Sequence, residues 1–132
     1  MKKLQIGVKA IILDKSKVLM IKRSGMYGQR LKDLWDIPGG RIEIGEEPED
    51  GLHREVGEEL GKVRFNILRP IHVDSVVNDK ERQIVRVTYE CSYEGGSVIL
   101  SDEHTEFSWF SKNNLPKKVD RLARKAISTL GV

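Results

Sequence analysis

The segment from Glu46 to Gly61 carries the strongest helix signal in the chain, and it limits how the remaining segments can pack. Pro48 suits the first turn of a helix, and the acidic residues around it favour the positive end of the helix dipole. Apolar residues then recur at four-residue spacing and form one stripe: Leu52, Val56 and Leu60. The stripe shows which side of the helix is buried, so apolar segments elsewhere in the chain must cover it.

Those flanking segments predict β-strands. Leu4–Leu13 and Val18–Ile21, with a turn between them, predict a hairpin, and Ser24–Leu34 predicts a loop. Further strands are predicted at Trp35–Ile37, at Val63–Val77 with a kink or split at Pro70, at Gln83–Tyr93 and at Phe107–Phe110. Turns are predicted at Asn78-Asp79-Lys80 and at Glu94-Gly95-Gly96.

A second helix is predicted near the C-terminus, where apolar residues again follow a helical stripe: Leu115, Val119, Leu122, Ala126 and Leu130. The order of elements is therefore strands, helix, strands, helix. This order predicts one domain over residues 1–132, of the α/β (α+β) class, with a mixed sheet covered by helices.

Composition narrows the class of protein and its compartment. Apolar residues make up 39% and charged residues 33%, a balance typical of globular proteins and unlike disordered or fibrous chains. Cys91 is the only cysteine, so no internal disulfide forms and a reducing compartment is expected. No apolar stretch approaches the roughly 20 residues of a membrane span. We therefore expect a cytoplasmic protein without a membrane partner, and the net charge of +3 gives no reason to expect a nucleic-acid partner.

Three glutamates share one face of the first predicted helix. Glu55 and Glu59 lie one turn apart, with Glu58 beside them. Such like charges repel, and a bound cation would relieve the repulsion; Mg²⁺ prefers oxygen ligands and keeps room for substrate phosphates. Just upstream, Pro38-Gly39-Gly40 lets main-chain groups approach a ligand closely. An exposed acidic helix without a ligand is the alternative interpretation.

The segment from Gly40 to Gly61 resembles the Nudix box of the Nudix hydrolase family (MutT-like). The box has seven fixed letters, and this chain matches all of them with the same spacing: Gly40, Glu46, Arg54, Glu55, Glu58, Glu59 and Gly61. Lys62 departs from the pattern, which has an aliphatic residue at that position. The segments Leu34–Gly40 and Leu100–His104 also resemble parts of the family's sequences.

The resemblance implies a fold and a set of metal ligands. The fold would be an α/β/α sandwich with a mixed sheet between helices, and members are often homodimers. The cofactor would be Mg²⁺, with Mn²⁺ as an alternative. The metal-binding and catalytic carboxylates would be Glu55, Glu58, Glu59 and a late glutamate, Glu103 or alternatively Glu106. The carbonyl of Gly39 would be a backbone ligand, whereas Arg54 and Glu46 would orient the site, with Gly40 and Gly61 as structural positions.

Residues outside the box are candidates for substrate binding. Arg23, Lys22 and Arg41 lie near the Pro-Gly-Gly segment in sequence and are candidates for phosphate contacts, or else plain surface charges. Aromatic residues can stack on a nucleobase, and the candidates are Trp35, which also suits a core position, Tyr27 and Phe107.

The resemblance predicts hydrolysis of a phosphoanhydride bond and leaves the substrate open. A nucleoside triphosphate pyrophosphohydrolase is the default, and an ADP-ribose, nucleotide-sugar or dinucleoside polyphosphate hydrolase is the alternative. A nucleotide sensor without activity is a third class, although such domains usually lose box glutamates. The identity of the catalytic base stays open at this point.

Overall fold

The computed structural model describes residues 2–79 and 82–132, apart from the side chains of Tyr27, Asn78 and Asp79. The strands are β1 (Lys3–Asp14), β2 (Lys17–Arg23), β3 (Trp35–Asp36), β4 (Gly39–Arg41), β5 (Gly61–Asp79), β6 (Arg82–Val98) and β7 (His104–Ser111). The helices are α1 (Pro48–Leu60) and α2 (Arg121–Ser128). Two single 3₁₀ turns, Gly25–Tyr27 and Gln29–Leu31, occupy the predicted loop after β2.

The strands form one mixed sheet. Its main path runs β3-β2-β1-β6-β5, with β4 paired to β1 and β7 paired to β2. The β1–β6 pair is parallel, and the other pairs are antiparallel. The predicted mixed sheet is therefore confirmed, and β1 lies at its centre with strands on both sides.

The two helices cover opposite faces of the sheet. Alternate residues of a strand point to opposite faces, and β1 supplies both cores: Ala10 and Ile12 belong to one cluster, whereas Ile11 belongs to the other. The first cluster includes the buried stripe of α1: Leu52, Val56 and Leu60. The second includes the buried face of α2: Ala123, Ala126 and Ile127. This layering confirms the predicted α/β/α arrangement.

The β5–β6 hairpin differs from its predicted form. Glu94-Gly95-Gly96 lies within β6, so the predicted turn at this site is wrong. Both glycines have positive φ, and a Cβ on Gly96 would lie 2.0 Å from the carbonyl oxygen of Lys62 on β5. These glycines therefore allow close strand approach at a bulge. Across the hairpin, β5 continues through Pro70 with register shifts on both sides of it.

Two further predictions change at the ends of elements. Asn78 and Asp79, predicted as a turn with Lys80, form the end of β5, and Lys80 lies outside the described residues. The C-terminal helix starts later than its apolar stripe predicted, because the side chain of Asp120 caps it by accepting a hydrogen bond from the Ala123 amide. Leu115 and Val119 pack on the second cluster from a non-helical segment.

Neither helix in the described part of the chain combines the length and the apolar character that crossing a membrane requires.

Candidate active site

A cavity of about 720 Å³ opens between α1, the sheet and the segment before β7. Eight of the residues predicted for the site line it: Arg23, Gly39, Gly40, Arg41, Glu55, Glu58, Glu59 and Glu103. Residues that the sequence did not single out complete the walls: Gly7, Lys9, Leu31, Asp36, Ile84, Arg86 and His104. The structure thus brings the box glutamates together with a group of basic side chains.

The Gly39-Gly40 pair lets β4 approach both β1 and α1. Gly39 has φ +137°, and a Cβ at this position would lie 2.0 Å from the backbone oxygen of Val8. A Cβ on Gly40 would lie 2.4 Å from Glu55 Oε2. The Gly39 amide donates a 2.7 Å hydrogen bond to Glu59 Oε1. The two glycines therefore place main-chain groups directly against the glutamate face of α1.

Arg54 connects the acidic residues of the box. Its Nε and Nη2 donate to the two carboxylate oxygens of Glu46, at 2.8 and 3.0 Å. Its Nη1 donates to Glu55 Oε1 at 2.9 Å and to Glu58 Oε1 at 3.3 Å. Hydrogen bonds from Arg54 and from the Glu43 amide lower the pKa of Glu46 to about 2. Arg54 and Glu46 thus lie behind the cavity wall and orient the glutamates that line it. Gly61 is likewise outside the cavity, at the end of α1.

The glutamates have the chemistry of a cation site. Burial raises the pKa of Glu59 to about 7, against the opposing charge of Lys9. Burial also raises the pKa of Glu55. In the described residues, no three His, Cys, Asp or Glu side chains are already gathered around one point as metal ligands. The set nevertheless fits Mg²⁺, because it consists of clustered carboxylates, and a bound cation would offset the burial that disfavours the charged forms of Glu55 and Glu59.

A buried ionic cluster lies at the base of the cavity and was missed by sequence reasoning. Asp36 accepts hydrogen bonds from Arg23 Nη2 at 2.5 Å and from Arg86 Nη2 at 3.0 Å, and Lys9 Nζ lies 3.4 Å from its Oδ2. Burial disfavours the charged form, but the charges of Lys9, Arg86 and Arg23 outweigh it and hold the pKa of Asp36 well below its usual range. The sequence signal that could have revealed this cluster was a charged residue among apolar neighbours in each of three strands: Lys9, Asp36 and Arg86.

The two late glutamates occupy different places. Glu103 lines the cavity, whereas Glu106 is outside it and pairs with Lys22 at 2.5 Å. His104 is buried beside them, with its Nε2 at 4.0 Å from Glu59 Oε2. Burial lowers the pKa of His104 to about 4, so the imidazole is neutral near pH 7. This placement favours Glu103 over Glu106 as the additional carboxylate.

The aromatic candidates for base stacking are not gathered at the cavity. Trp35 packs edge-on against Phe110 at 5.1 Å in the core beneath α2, which agrees with the alternative expectation of a core position for this residue. Phe107 is exposed and also lies outside the cavity lining. The side chain of Tyr27 is outside the described residues. Trp35 therefore has a packing role here, and its predicted place in a substrate site is not supported by its position.

Comparisons with known proteins agree with this geometry. A family model described as the NUDIX domain matches residues 3–130. The chain is 30% identical over 113 residues to an ADP-ribose pyrophosphatase from Methanocaldococcus jannaschii, covering 85% of this chain and 64% of that relative's length. It is 27% identical over 108 residues to the nucleoside triphosphatase NudI of Escherichia fergusonii, covering 74% of this chain and 77% of that one.

A solved structure shows the same fold. The crystal structure of a MutT protein from Methanosarcina mazei Go1 superimposes with a TM-score of 0.84 at 26% identity, over 96% of this chain and 92% of that one. The family match covers nearly the whole chain, and three of the box glutamates, Glu55, Glu58 and Glu59, line the cavity. The chain belongs to the Nudix family.

Proposed function

We propose that the protein is a divalent-metal-dependent hydrolase that cleaves a phosphoanhydride bond of a nucleoside triphosphate, releasing a nucleoside monophosphate and pyrophosphate. The observation that carries the proposal is the convergence of Glu55, Glu58, Glu59 and Glu103 on a cavity that also contains basic side chains. Carboxylates suit the metal, and the basic groups suit the phosphates. Residues 1–132 would form one catalytic domain, and the family match over residues 3–130 supports this.

Each group has a role in this chemistry. Bound Mg²⁺, or Mn²⁺ in its place, would supply charge neutralisation of phosphate oxygens and a lowered pKa for a coordinated water. Glu55, Glu58 and Glu59, with the Gly39 carbonyl, would hold the ion. A cavity carboxylate accepts the proton of the water, the water oxygen bonds to phosphorus, and the bridging oxygen leaves with pyrophosphate.

The substrate class rests on charge. Four basic residues line the cavity, which suits a substrate with several phosphates: Lys9, Arg23, Arg41 and Arg86. The similarity to a nucleoside triphosphatase supports this class. ADP-ribose is the second candidate, because another relative is named for it. A small-molecule substrate and no nucleic-acid or membrane partner complete the proposal. A cytoplasmic location is part of it as well, and the free, buried thiol of Cys91 suits a reducing compartment.

A substrate panel tests the proposal. Purified protein would be assayed on normal and oxidised nucleoside triphosphates, ADP-ribose, sugar nucleotides and dinucleoside polyphosphates, with Mg²⁺ and then with EDTA. We expect metal-dependent release of pyrophosphate from triphosphates. Metal-dependent turnover of another group would reassign the substrate, and binding without turnover of any member would indicate a sensor.

Matched variants test the late carboxylate. Glu103→Gln should lower kcat at least about tenfold, since it removes a charge that faces the cavity. Glu106→Gln is the control, because its side chain pairs with Lys22 outside the cavity. Equal activity of the two variants would contradict the assignment of Glu103.

A further inference from the structure

The cavity has a second wall that lies on the other face of the sheet from α1. Val8 and Ala10 of β1 belong to the core beneath α1, so Gly7 and Lys9 project to the opposite face. In the parallel β1–β6 pair, Gly7 is the register partner of Arg86. We call Gly7, Lys9, Ile84 and Arg86 the sheet floor, and all four line the cavity.

Gly7 leaves open space in the sheet floor. In register, it lies between Arg41 of β4 on one side and Arg86 of β6 on the other. A Cβ at this position would meet Ile84 Cγ2 at 3.6 Å and Gly40 O at 3.9 Å, both ordinary van der Waals contacts. Packing therefore does not require glycine here. Its missing side chain keeps the space between two arginines open to a ligand.

Arg86 is held in place with a donor to spare. Its Nη2 donates to Asp36 Oδ1 at 3.0 Å, and its Nη1 lies 3.3 Å from Asp120 Oδ1. Its Nε is buried and has no hydrogen-bond partner among the described residues. A buried unpaired N–H of a charged group is costly, and an anionic acceptor would satisfy it. The two aspartates hold the guanidinium in place, so little side-chain conformational entropy is lost when a ligand binds.

The charge balance of this region also favours an anion. Three cations lie around Asp36: Lys9, Arg23 and Arg86. Asp120 and Glu59 add two further carboxylates, so cations and carboxylates balance in number when Glu59 is charged. A metal ion on Glu59 would engage that carboxylate and leave one positive charge in excess to attract an anion.

We propose that the sheet floor, centred on Arg86, is a subsite for a non-scissile phosphate group of the substrate. This proposal rests on the proposed function for the identity of the substrate, but phosphate binding at the sheet floor requires no catalysis. The subsite would make phosphate groups, rather than the nucleobase, the main feature by which this protein selects its substrate. Arg86 would act as a specificity-determining residue, and Gly7 would provide access to it.

Calorimetric binding of inorganic tripolyphosphate in EDTA tests the subsite without metal or turnover. We expect Arg86→Gln to weaken binding at least about tenfold, Arg86→Lys to restore part of it, and Gly7→Met to abolish it in a folded protein. Arg69→Gln is the control, because Arg69 is an exposed arginine paired with Glu90 at 3.4 Å. Binding by Arg86→Gln and Gly7→Met equal to wild type would overturn the proposal.

A measurement on the unchanged protein covers the case in which the variants fail to fold. In ¹⁵N-labelled protein, the Arg86 Nε resonance should shift on addition of tripolyphosphate and stay fixed with an uncharged nucleoside. A shift with the nucleoside alone would indicate a nucleobase site and refute the phosphate subsite. Tripolyphosphate binding that depends on Arg86, in a protein with no hydrolase activity, would refute the proposed function and leave the subsite standing.

Discussion

Replacing Asp36 by asparagine should be among the most destabilising polar substitutions in this protein. The carboxylate is almost fully buried and contacts Arg23, Arg86 and Lys9, and its Oδ1 also accepts a 2.8 Å hydrogen bond from the Ile37 amide. Asparagine keeps the shape but removes the charge. Three cations then lose their shared partner at the base of the cavity, where Lys9 and Arg86 are largely buried.

The magnitude follows from the cost of breaking a buried ion pair. Removing one partner of such a pair typically costs about 3–5 kcal/mol. With a urea m-value of about 2 kcal/mol/M, the unfolding midpoint should fall by about 1.5–2.5 M. Lys9 limits the loss, because burial already lowers its pKa and it can release its proton, whereas Arg23 and Arg86 stay charged.

Urea unfolding at pH 7, followed by tryptophan fluorescence, measures the effect. Glu106→Gln is the matched control, since it removes one carboxylate from an exposed pair with Lys22 and should cost no more than about 1 kcal/mol. A loss for Asp36→Asn as small as that of the control would refute the reasoning. It would mean that the buried cations find other partners or water.

Three further outcomes are expected. Glu58→Gln should keep the fold and lose most hydrolase activity, and activity within about threefold of wild type, under ~1 kcal/mol of barrier, would contradict a ligand role for Glu58. Gly39→Ala should cost at least about 2 kcal/mol in urea unfolding, because of its positive φ and its contact with β1, whereas Gly57→Ala in the open part of α1 should be neutral or stabilising. The folded pKa of Asp36 lies below its ordinary value of 3.8, so its contribution is complete well above that pH and is lost progressively as pH falls from 3.8 towards the folded pKa. Urea unfolding from pH 7 to pH 3 should therefore show the gap between wild type and Asp36→Asn becoming smaller, and a constant gap would argue against the depressed pKa.

The features predicted well from sequence are those fixed by local spacing. The stripe of Leu52, Val56 and Leu60 defined α1 because helical periodicity needs only neighbouring residues. The spacing of the box likewise located Glu55 and Glu59 on one face. The apolar stripe and the shared glutamate face both depend on residues within a few turns of one helix, so predicting them required no knowledge of tertiary contacts.

The features missed depend on which strands become neighbours. Arg86 meets Asp36 only because β6 pairs in parallel with β1, and a separation of 50 residues gives no local signal for that contact. Gly95 and Gly96 indicated a turn by composition, but their partners on β5 turned them into a bulge. Asp120 shortened α2 through a cap that the apolar stripe could not show.

The position of β1 between the two helices has a consequence for how this sequence can change. Its even-numbered residues, such as Ala10 and Ile12, face α1, whereas Ile11 faces α2 and Lys9 faces the cavity. Inserting or deleting one residue in β1 would exchange these faces, placing the Lys9 ammonium in one core and a valine in the cavity. Insertions and deletions in this protein should therefore be tolerated in its loops and excluded from β1. In that strand, one alternation of side chains supplies residues to both cores and to the cavity.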